Sequence, residues 1–449
     1  MRSDLERVAP FRIGHWLPSD QTFLDTWMET LIEEAKEGPT SPLHPVIEEF
    51  KFLIEANPEI YMAFNLMLTQ VPFKSNPLKK PQVKNYQQML QLMNLIITRA
   101  PEFSIIADKV GLVGFPINTI LDWSMGTAAG FWAFTNDQVN AQLRKILNQW
   151  GEFLCSGDSR YVLTDTPLKI NPNKKQENWG WFSEVALQAL AESDPYYGQG
   201  SDPKDPKENF IYNFQCDPNA PFWGFQSWDQ FFTRDFNEGR RPVASPEDEN
   251  VIVNACESAP YRIAYGVQRF DTFWIKAQPY SLAHMLANDP SVDYFVGGTV
   301  YQAFLSAKSY HRWHSPVSGT IQKVSVVEGT YYSEALSEGY DPSGPNDSQG
   351  YITEVATRAL IFIEADNRDI GLMCVVPVGM AEVSSCDVTV VEGQHVMKGE
   401  ELGMFHFGGS THCLIFGPQV QFAFDLHGQT PGLNSSNIAL NSRIATVCK

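Results

Sequence analysis

Apolar side chains recur every three or four positions through roughly the first 150 residues. The clearest stripes lie at 24–35, 46–54, 89–96 and 139–147. This spacing puts the apolar residues on one face of a helix, so the pattern predicts helices that pack around a core. A further apolar run at 121–134 has the length of a core helix and is too short to span a bilayer.

From about residue 250 the pattern changes to short β-branched runs separated by glycine and proline. Such runs are typical of strands joined by turns. They lie at 250–255, 297–307, 318–332, 358–365, 371–379 and 381–393.

The two patterns together predict an α+β protein. A helical N-terminal domain is expected over 1–245. Residues 165–210 are rich in Asn, Pro, Lys, Asp and Gly, which predicts a surface connection with a short helix near 185–191. A β-rich domain is expected over 246–449.

Two segments of the β-rich half resemble each other, because 316–329 and 390–403 both place valines around a Glu-Gly turn. They are similar to the half-barrels of biotinyl and lipoyl carrier domains, so duplicated, barrel-sandwich-like elements are expected. A carrier module is therefore one functional alternative. Two observations argue against a carrier. Lys398 lies in a bend whose role in such folds is structural, and the sequence that bears the acceptor lysine at the tip of a carrier domain is missing.

Charge and composition exclude several functions. Lys+Arg number 33 against 52 Asp+Glu, a net charge of −19. This argues against nucleic-acid binding, which needs a basic face, and against electrostatic docking on anionic lipid. The seven cysteines include no C-x-x-C, which argues against a disulfide framework or a zinc knuckle. The N-terminus lacks the apolar region of a signal peptide, so a soluble, cytoplasmic protein is expected.

Two short motifs carry the candidate chemistry, Y-H-R-W-H-S-P at 310–316 and H-F-G-G-S-T-H at 406–412. The second is not a nucleophile elbow, because His412 stands where G-x-S-x-G requires glycine. His311 and His314 are three apart, so on a strand they face opposite sides and do not form a metal pair. No metal site is predicted.

Together the two motifs resemble the phosphatidylserine decarboxylase family. The segment Y-S-L-A-H-M-L at 280–286 and the elements at 378–380 and 392–394 are also similar to family motifs, and the resemblance covers about 250–430. The helical N-terminal half, together with H-F-G-G-S at 406–410 and A-C-E-S at 255–258, makes the chain most similar to a soluble fungal branch of that family.

The resemblance implies that the chain makes its own cofactor. Ser410 would attack the carbonyl of Gly409, and elimination would leave a pyruvoyl group at position 410. The chain would become 1–409 and 410–449, held together as a non-covalent heterodimer. His314 is the candidate base, since a serine hydroxyl needs one, and His311 or His314 would deliver the proton during decarboxylation.

An acidic residue is expected to orient His314. The resemblance places Glu257 at that position, in A-C-E-S where bacterial members have P-x-D-G. Asp366 and Glu364 are the alternatives.

Three functions follow from these observations. The first is decarboxylation of a free aromatic L-amino acid, tryptophan favoured, to carbon dioxide and the arylalkylamine. The second is decarboxylation of phosphatidylserine to phosphatidylethanolamine. The third is the non-enzymatic carrier. The acidic charge and the absence of an anchor favour the first, with a small molecule as partner and neither nucleic acid nor membrane.

Overall fold

A computed structural model of the chain describes most of the sequence. The described residues are 28, 31–35, 42–70, 83–105, 108, 115–171, 176–271, 280–335, 348–382, 385–406, 410–432 and 434–448. They divide into two compact units. The first comprises Met1–Ala186, Phe225–Trp228 and Thr330–Ser348, and the second Leu187–Gly224, Asp229–Gly329 and Gln349–Lys449. The domain boundary near residue 245 stays a prediction, because these units are assembled by contacts in space and interleave along the chain.

The first unit is mainly helical. Its helices are α1 Pro45–Ala56, α2 Pro58–Gln70, α3 Tyr86–Ile96, α4 Pro116–Met125, α5 Ala128–Thr135 and α6 Asp137–Cys155. The apolar stripes at 46–54, 89–96 and 139–147 form the buried faces of α1, α3 and α6, as predicted. Of the first stripe, positions 24 and 27 lie outside the described residues, while Met28 and 31–35 are helical.

The apolar run at 121–134 forms parts of two helices, α4 and α5, instead of one. The break falls at Gly126 and Thr127, where the Thr127 side chain accepts a hydrogen bond from the backbone N–H of Gly130 and caps α5. A capping threonine in extended conformation begins a new helix even within an apolar run.

The predicted surface connection at 165–210 contains regular structure. Strands β1 Pro167–Asn171 and β2 Gln176–Trp179 form an antiparallel hairpin. Helix α7 Glu184–Ala191 is the short helix predicted there, and α8 Pro206–Asn213 follows.

The second unit is built on a seven-stranded antiparallel sheet in the order β11-β7-β8-β9-β13-β5-β4. Its strands are β4 Ala259–Tyr265, β5 Thr299–Leu305, β7 Gly319–Val327, β8 Arg358–Ala365, β9 Leu372–Gly379, β11 His395–Val396 and β13 Ser410–Phe416. Strand β13 lies between β9 and β5, and all of its residues are buried, including the polar Ser410, Thr411 and His412.

Two three-stranded sheets complete the unit, in the orders β10-β12-β6 and β14-β15-β3. Their strands are β3 Val251–Val253, β6 Arg312–His314, β10 Ser385–Val388, β12 Glu401–His406, β14 Phe422–Phe424 and β15 Arg443–Val447. Short helices α9 Trp228–Phe232, α10 Leu282–Met285, α11 Val292–Phe295 and α12 Gln349–Val355 lie between strands along the chain.

The α+β class is confirmed. The two similar segments contact each other, because β11 of the second pairs with β7 of the first, in the register Val396 to Gly319. The seven-stranded sheet that contains them is open, with β11 and β4 at its edges.

Candidate active site

Ser410 is the first residue of β13. Its backbone lies opposite Leu305 on one side and Gly379 on the other. The side chain is fully buried, and within the described part of the chain its hydroxyl has no hydrogen-bond partner. Buried hydroxyls are normally paired, so an unpaired one indicates a special role. The preceding residues 407–409, including Gly409, lie outside the described residues.

His314 ends strand β6 and is held through both ring nitrogens. Its Nδ1 lies 2.8 Å from the carbonyl oxygen of Gly399, and its Nε2 lies 3.1 Å from the hydroxyl of Tyr310. A carbonyl only accepts, so Nδ1 carries the proton and donates it. Burial lowers the pKa of His314, although the Gly399 carbonyl and Glu401 act in the opposite direction. The neutral form of the ring is therefore favoured, and its Nε2 lone pair accepts the Tyr310 hydroxyl.

His311 precedes strand β6. It is fully buried, and its ring stacks on that of Phe232 with centroids 3.8 Å apart and an angle of 20° between the planes. Tyr310 and His314, in contrast, share a face. The two histidines therefore have different neighbours.

The register between β6 and β12 relates the histidines to Ser410. His314 lies opposite Glu401, and the backbone N–H of Phe405 donates to the carbonyl of His311 at 2.9 Å. Strand β12 runs from Glu401 to His406 and therefore leads toward Ser410 in the sequence. His311 lies at the end of the β6–β12 ladder that is closer in sequence to Ser410. His314 lies at the other end.

Glu257 is tied to an arginine. The Arg241 guanidinium donates to both of its oxygens, Nε to Oε2 at 2.7 Å and Nη2 to Oε1 at 2.8 Å. The backbone N–H of Leu440 adds a third bond at 3.2 Å. Arg241 also pairs with Asp194 at 2.8 Å. The role of Glu257 in orienting His314 stays a prediction, and in the described contacts the Gly399 carbonyl occupies Nδ1 of that histidine.

The alternative acids lie elsewhere. The Asp366 carboxylate is 2.9 Å from His395 Nε2, and both side chains are exposed. Glu364 is exposed on β8. Among the residues that the structure describes, no three His, Cys, Asp or Glu side chains are grouped so as to hold a metal.

Three residues beside the site were not predicted. Tyr310 lies inside the Y-H-R-W-H motif, but the motif predicted no role for it. Gly399 had a weaker signal, its place in a Lys-Gly-Glu bend. Its backbone has a φ of 84°, which favours glycine, and this turn presents the carbonyl to His314. Gln302 gave no signal in the sequence.

Gln302 is the centre of a buried network next to Ser410. Its Nε2 donates to the Thr411 hydroxyl at 3.0 Å and to the Gln349 carbonyl at 2.9 Å. Its Oε1 accepts the Tyr280 hydroxyl at 2.5 Å, and Thr411 donates to the carbonyl of Ala303 at 3.0 Å. A satisfied buried network restricts side chains to one arrangement. This network therefore holds the residue that follows Ser410.

Lys398 is unavailable as a carrier lysine. Its Nζ donates to the backbone carbonyls of Ser245, Asp248 and Val251 at 2.8, 2.8 and 3.1 Å, and the residue is 7% exposed. A carrier lysine has to be exposed at a tip. The carrier alternative is therefore not supported.

Comparison with known proteins agrees with the motifs. Two family models, both described as phosphatidylserine decarboxylase, match residues 44–190 and 228–432. The chain is 39% identical over 428 residues to the L-tryptophan decarboxylase of Psilocybe cubensis, which covers 92% of this chain and 90% of that protein. It is 41% identical over 377 residues to decarboxylase iboD of Amanita muscaria, covering 80% of this chain and all of that one.

Similarity to proteins named as lipid enzymes is more limited. Phosphatidylserine decarboxylase proenzyme 3 of Schizosaccharomyces pombe is 32% identical over 215 residues, which is 47% of this chain and 21% of that protein. The chain belongs to the phosphatidylserine decarboxylase family. Its relatives are named decarboxylases, and it is a carboxy-lyase.

None of the helices in the described part of the chain combines the length and the apolar content that a bilayer crossing needs.

Proposed function

We propose that this chain is a pyruvoyl-dependent decarboxylase of a free aromatic L-amino acid, tryptophan favoured, which releases carbon dioxide and the arylalkylamine. One observation carries the proposal: Ser410 is fully buried at the start of a central strand, and its hydroxyl has no partner among the described residues. The substrate class rests on the similarity to the Psilocybe cubensis enzyme, which extends over 92% of the chain.

The cofactor is proposed to come from Ser410 itself. The hydroxyl attacks the Gly409 carbonyl, the C–N bond breaks, and an ester replaces the amide. Elimination and loss of ammonia then leave the pyruvoyl group at position 410, where its carbonyl supplies an electron sink for decarboxylation. The site fits this group, because the buried Ser410 hydroxyl has no hydrogen-bond partner among the described residues and is available to react.

His314 is the proposed base for that attack. Its neutral form is favoured by burial, and its Nδ1–H is fixed on the Gly399 carbonyl, so that Nε2 carries the lone pair. Fixing the tautomer is the part that an acid plays in a Ser-His-Asp triad. His311, buried against Phe232, is proposed to deliver a proton during decarboxylation.

The two products of cleavage are proposed to stay together. In the fragment 410–449, β13 is hydrogen-bonded to β9 and β5 along its length, and β15 pairs with β3. The backbone bonds between Asn254 and residues 441–442 add to this contact. A strand inserted between two others cannot leave without opening the sheet.

Intact mass of the purified protein tests the processing step. We expect a separate 410–449 fragment with a pyruvoyl N-terminus, and a single uncut chain for Ser410→Ala. Ser436→Ala, at an exposed serine of the same segment, is the matched control and is expected to be cut normally. An uncut wild-type chain would refute self-processing.

Release of carbon dioxide from tryptophan, phenylalanine, tyrosine and phosphatidylserine, measured side by side, tests the substrate. We expect the highest kcat/KM with tryptophan and none with Ser410→Ala. If carbon dioxide is released only from phosphatidylserine vesicles, the proposal is wrong and the alternative, a phosphatidylserine decarboxylase, takes its place.

A further inference from the structure

A short turn at 306–309 joins the strand beside Ser410 to the Y-H-R-W-H motif at 310–314. Leu305, the last residue of β5, lies directly opposite Ser410 in the sheet. The chain then passes through the turn and enters the motif, whose second residue is His311. The conformation of the turn therefore influences where His311 lies relative to the start of β13.

The turn is buried, so its polar groups need partners within the protein. Ser306, Lys308 and Ser309 are all buried. The backbone N–H of Ser309 donates to the carbonyl of Ser306 at 3.0 Å, and Nη2 of Arg234 donates to the carbonyl of Lys308 at 2.8 Å. Most turns lie at the surface, where water satisfies such groups. This turn is fixed by neighbouring protein groups instead.

Asn437 is a second side chain that holds the turn. Its Nδ2 lies 3.0 Å from the carbonyl oxygen of Ser193 and 3.1 Å from Oγ of Ser309. A carbonyl only accepts, so the amide nitrogen faces Ser193 and gives its second proton to Ser309. The Ser309 hydroxyl accepts that bond and directs its own proton to Oγ of Ser306, which is 3.0 Å away. These side chains form a directed chain of hydrogen bonds that ends in the turn.

Asn437 lies on the same piece of the chain as Ser410. In the proposed two-chain enzyme, 410–449 carries the pyruvoyl group, whereas the turn and the Y-H-R-W-H motif belong to the larger piece. The Asn437–Ser309 bond therefore joins the two pieces, and it does so two residues before His311. A satisfied buried network restricts its members to one arrangement. Displacing a reacting group by about 1 Å can cost about 100-fold in rate.

We propose that Asn437 is a positioning residue for decarboxylation and that it acts through Ser309. This rests on the proposed function, in which His311 delivers a proton. Asn437 fixes the hydroxyl of Ser309, and this bond fixes the turn from which the chain enters the motif. The piece that carries the pyruvoyl group thereby also orders the histidine that serves it.

A double-mutant cycle on the purified two-chain enzyme tests the inference. Asn437→Ala, Ser309→Ala and the double variant are compared by kcat and KM for carbon dioxide release from tryptophan. Each single variant should lower kcat by about tenfold, the equivalent of one hydrogen bond, with little change in KM. The double variant should also lose about tenfold and not about 100-fold, because both changes remove the same bond. Asn437→Asp keeps the shape of the side chain but cannot donate, and should lose as much kcat as Asn437→Ala.

Two measurements separate positioning from simple attachment of the fragment. Native mass of each sample shows whether 410–449 is still bound, so that kcat refers to the two-chain form. Ser442→Ala is the matched control, because it removes a hydroxyl 3.2 Å from that of Tyr196, a contact between the same two pieces that does not involve the turn. It should leave kcat unchanged.

Several results would overturn the inference. These are a wild-type kcat for Asn437→Ala, loss of the fragment as its only effect, failure of that variant to be cut, and a double variant about 100-fold slower than wild type. A wild-type protein that stays uncut and releases no carbon dioxide would instead refute the proposed function, on which the inference depends.

Discussion

Glu257→Gln separates the catalytic role predicted for this residue from the ion pair in which the structure places it. Both side chains of the Arg241–Glu257 pair are at most 4% exposed, and two short bonds join them. Breaking a buried pair from one side costs about 3–5 kcal/mol, because the remaining charge stays buried. Arg241 keeps Asp194 as a partner, so we expect the lower end, about 3 kcal/mol.

The assay is thermal unfolding followed by fragment analysis of the same sample. A loss of about 3 kcal/mol lowers Tm by about 6–12 °C in a unit of this size. Chains that remain folded should be cut at nearly the wild-type rate at low temperature. Glu364→Gln, an exposed carboxylate, is the control and should change stability by at most about 0.5 kcal/mol.

The opposite result would refute this reasoning. If Glu257→Gln unfolds within about 1 kcal/mol of wild type and yet is not cut, the carboxylate acts in the reaction and the Arg241 pair contributes little.

Three further outcomes are expected. Because burial lowers the pKa of His314 from 6.5, the neutral base persists through pH 6.5, and the cleavage rate should fall only at lower pH; a rate already halved at pH 7 would contradict this. Lys398→Met removes the donor shared by three backbone carbonyls, of which that of Val251 is buried, and should cost about 1–3 kcal/mol in denaturant unfolding; an unchanged midpoint would show that these bonds do not stabilise the fold. Gln302→Leu leaves the Tyr280 hydroxyl without its acceptor and removes one hydrogen bond to Thr411. It should therefore slow cleavage in a mass time course even at temperatures where the variant remains folded. Cleavage at the wild-type rate would exclude a positioning role.

The regular elements were predictable where one physical signal dominates. Helices α1, α3 and α6 bury one face, and their apolar residues keep the helical period. The hairpin of β1 and β2 was missed, because its residues are mostly polar and resemble a loop in composition. The division between α4 and α5 depends on one capping threonine within an apolar run.

The candidate site was predictable in part for a similar reason. Ser410 and His314 stand in compact motifs, so their neighbourhood along the chain identifies them. The pairing of Glu257 with Arg241 could not be predicted in this way, because the residues around Glu257 in the sequence do not indicate which cationic side chain will contact it. The Gln302–Thr411 hydrogen bond joins residues 109 apart, and such pairing is decided by the packing of elements.

The place of β13 between β9 and β5 has a consequence for the stability of the proposed two-chain enzyme. In the precursor, the strand is delivered to its position by the chain that precedes it, so folding is a first-order process. After the proposed cleavage, 410–449 would be a separate molecule, and reassembly would depend on its concentration. The two-chain enzyme is therefore expected to persist through slow unfolding and not through reversible folding. Heated past its transition and cooled, it should stay inactive, while the uncut Ser410→Ala chain should regain its fold.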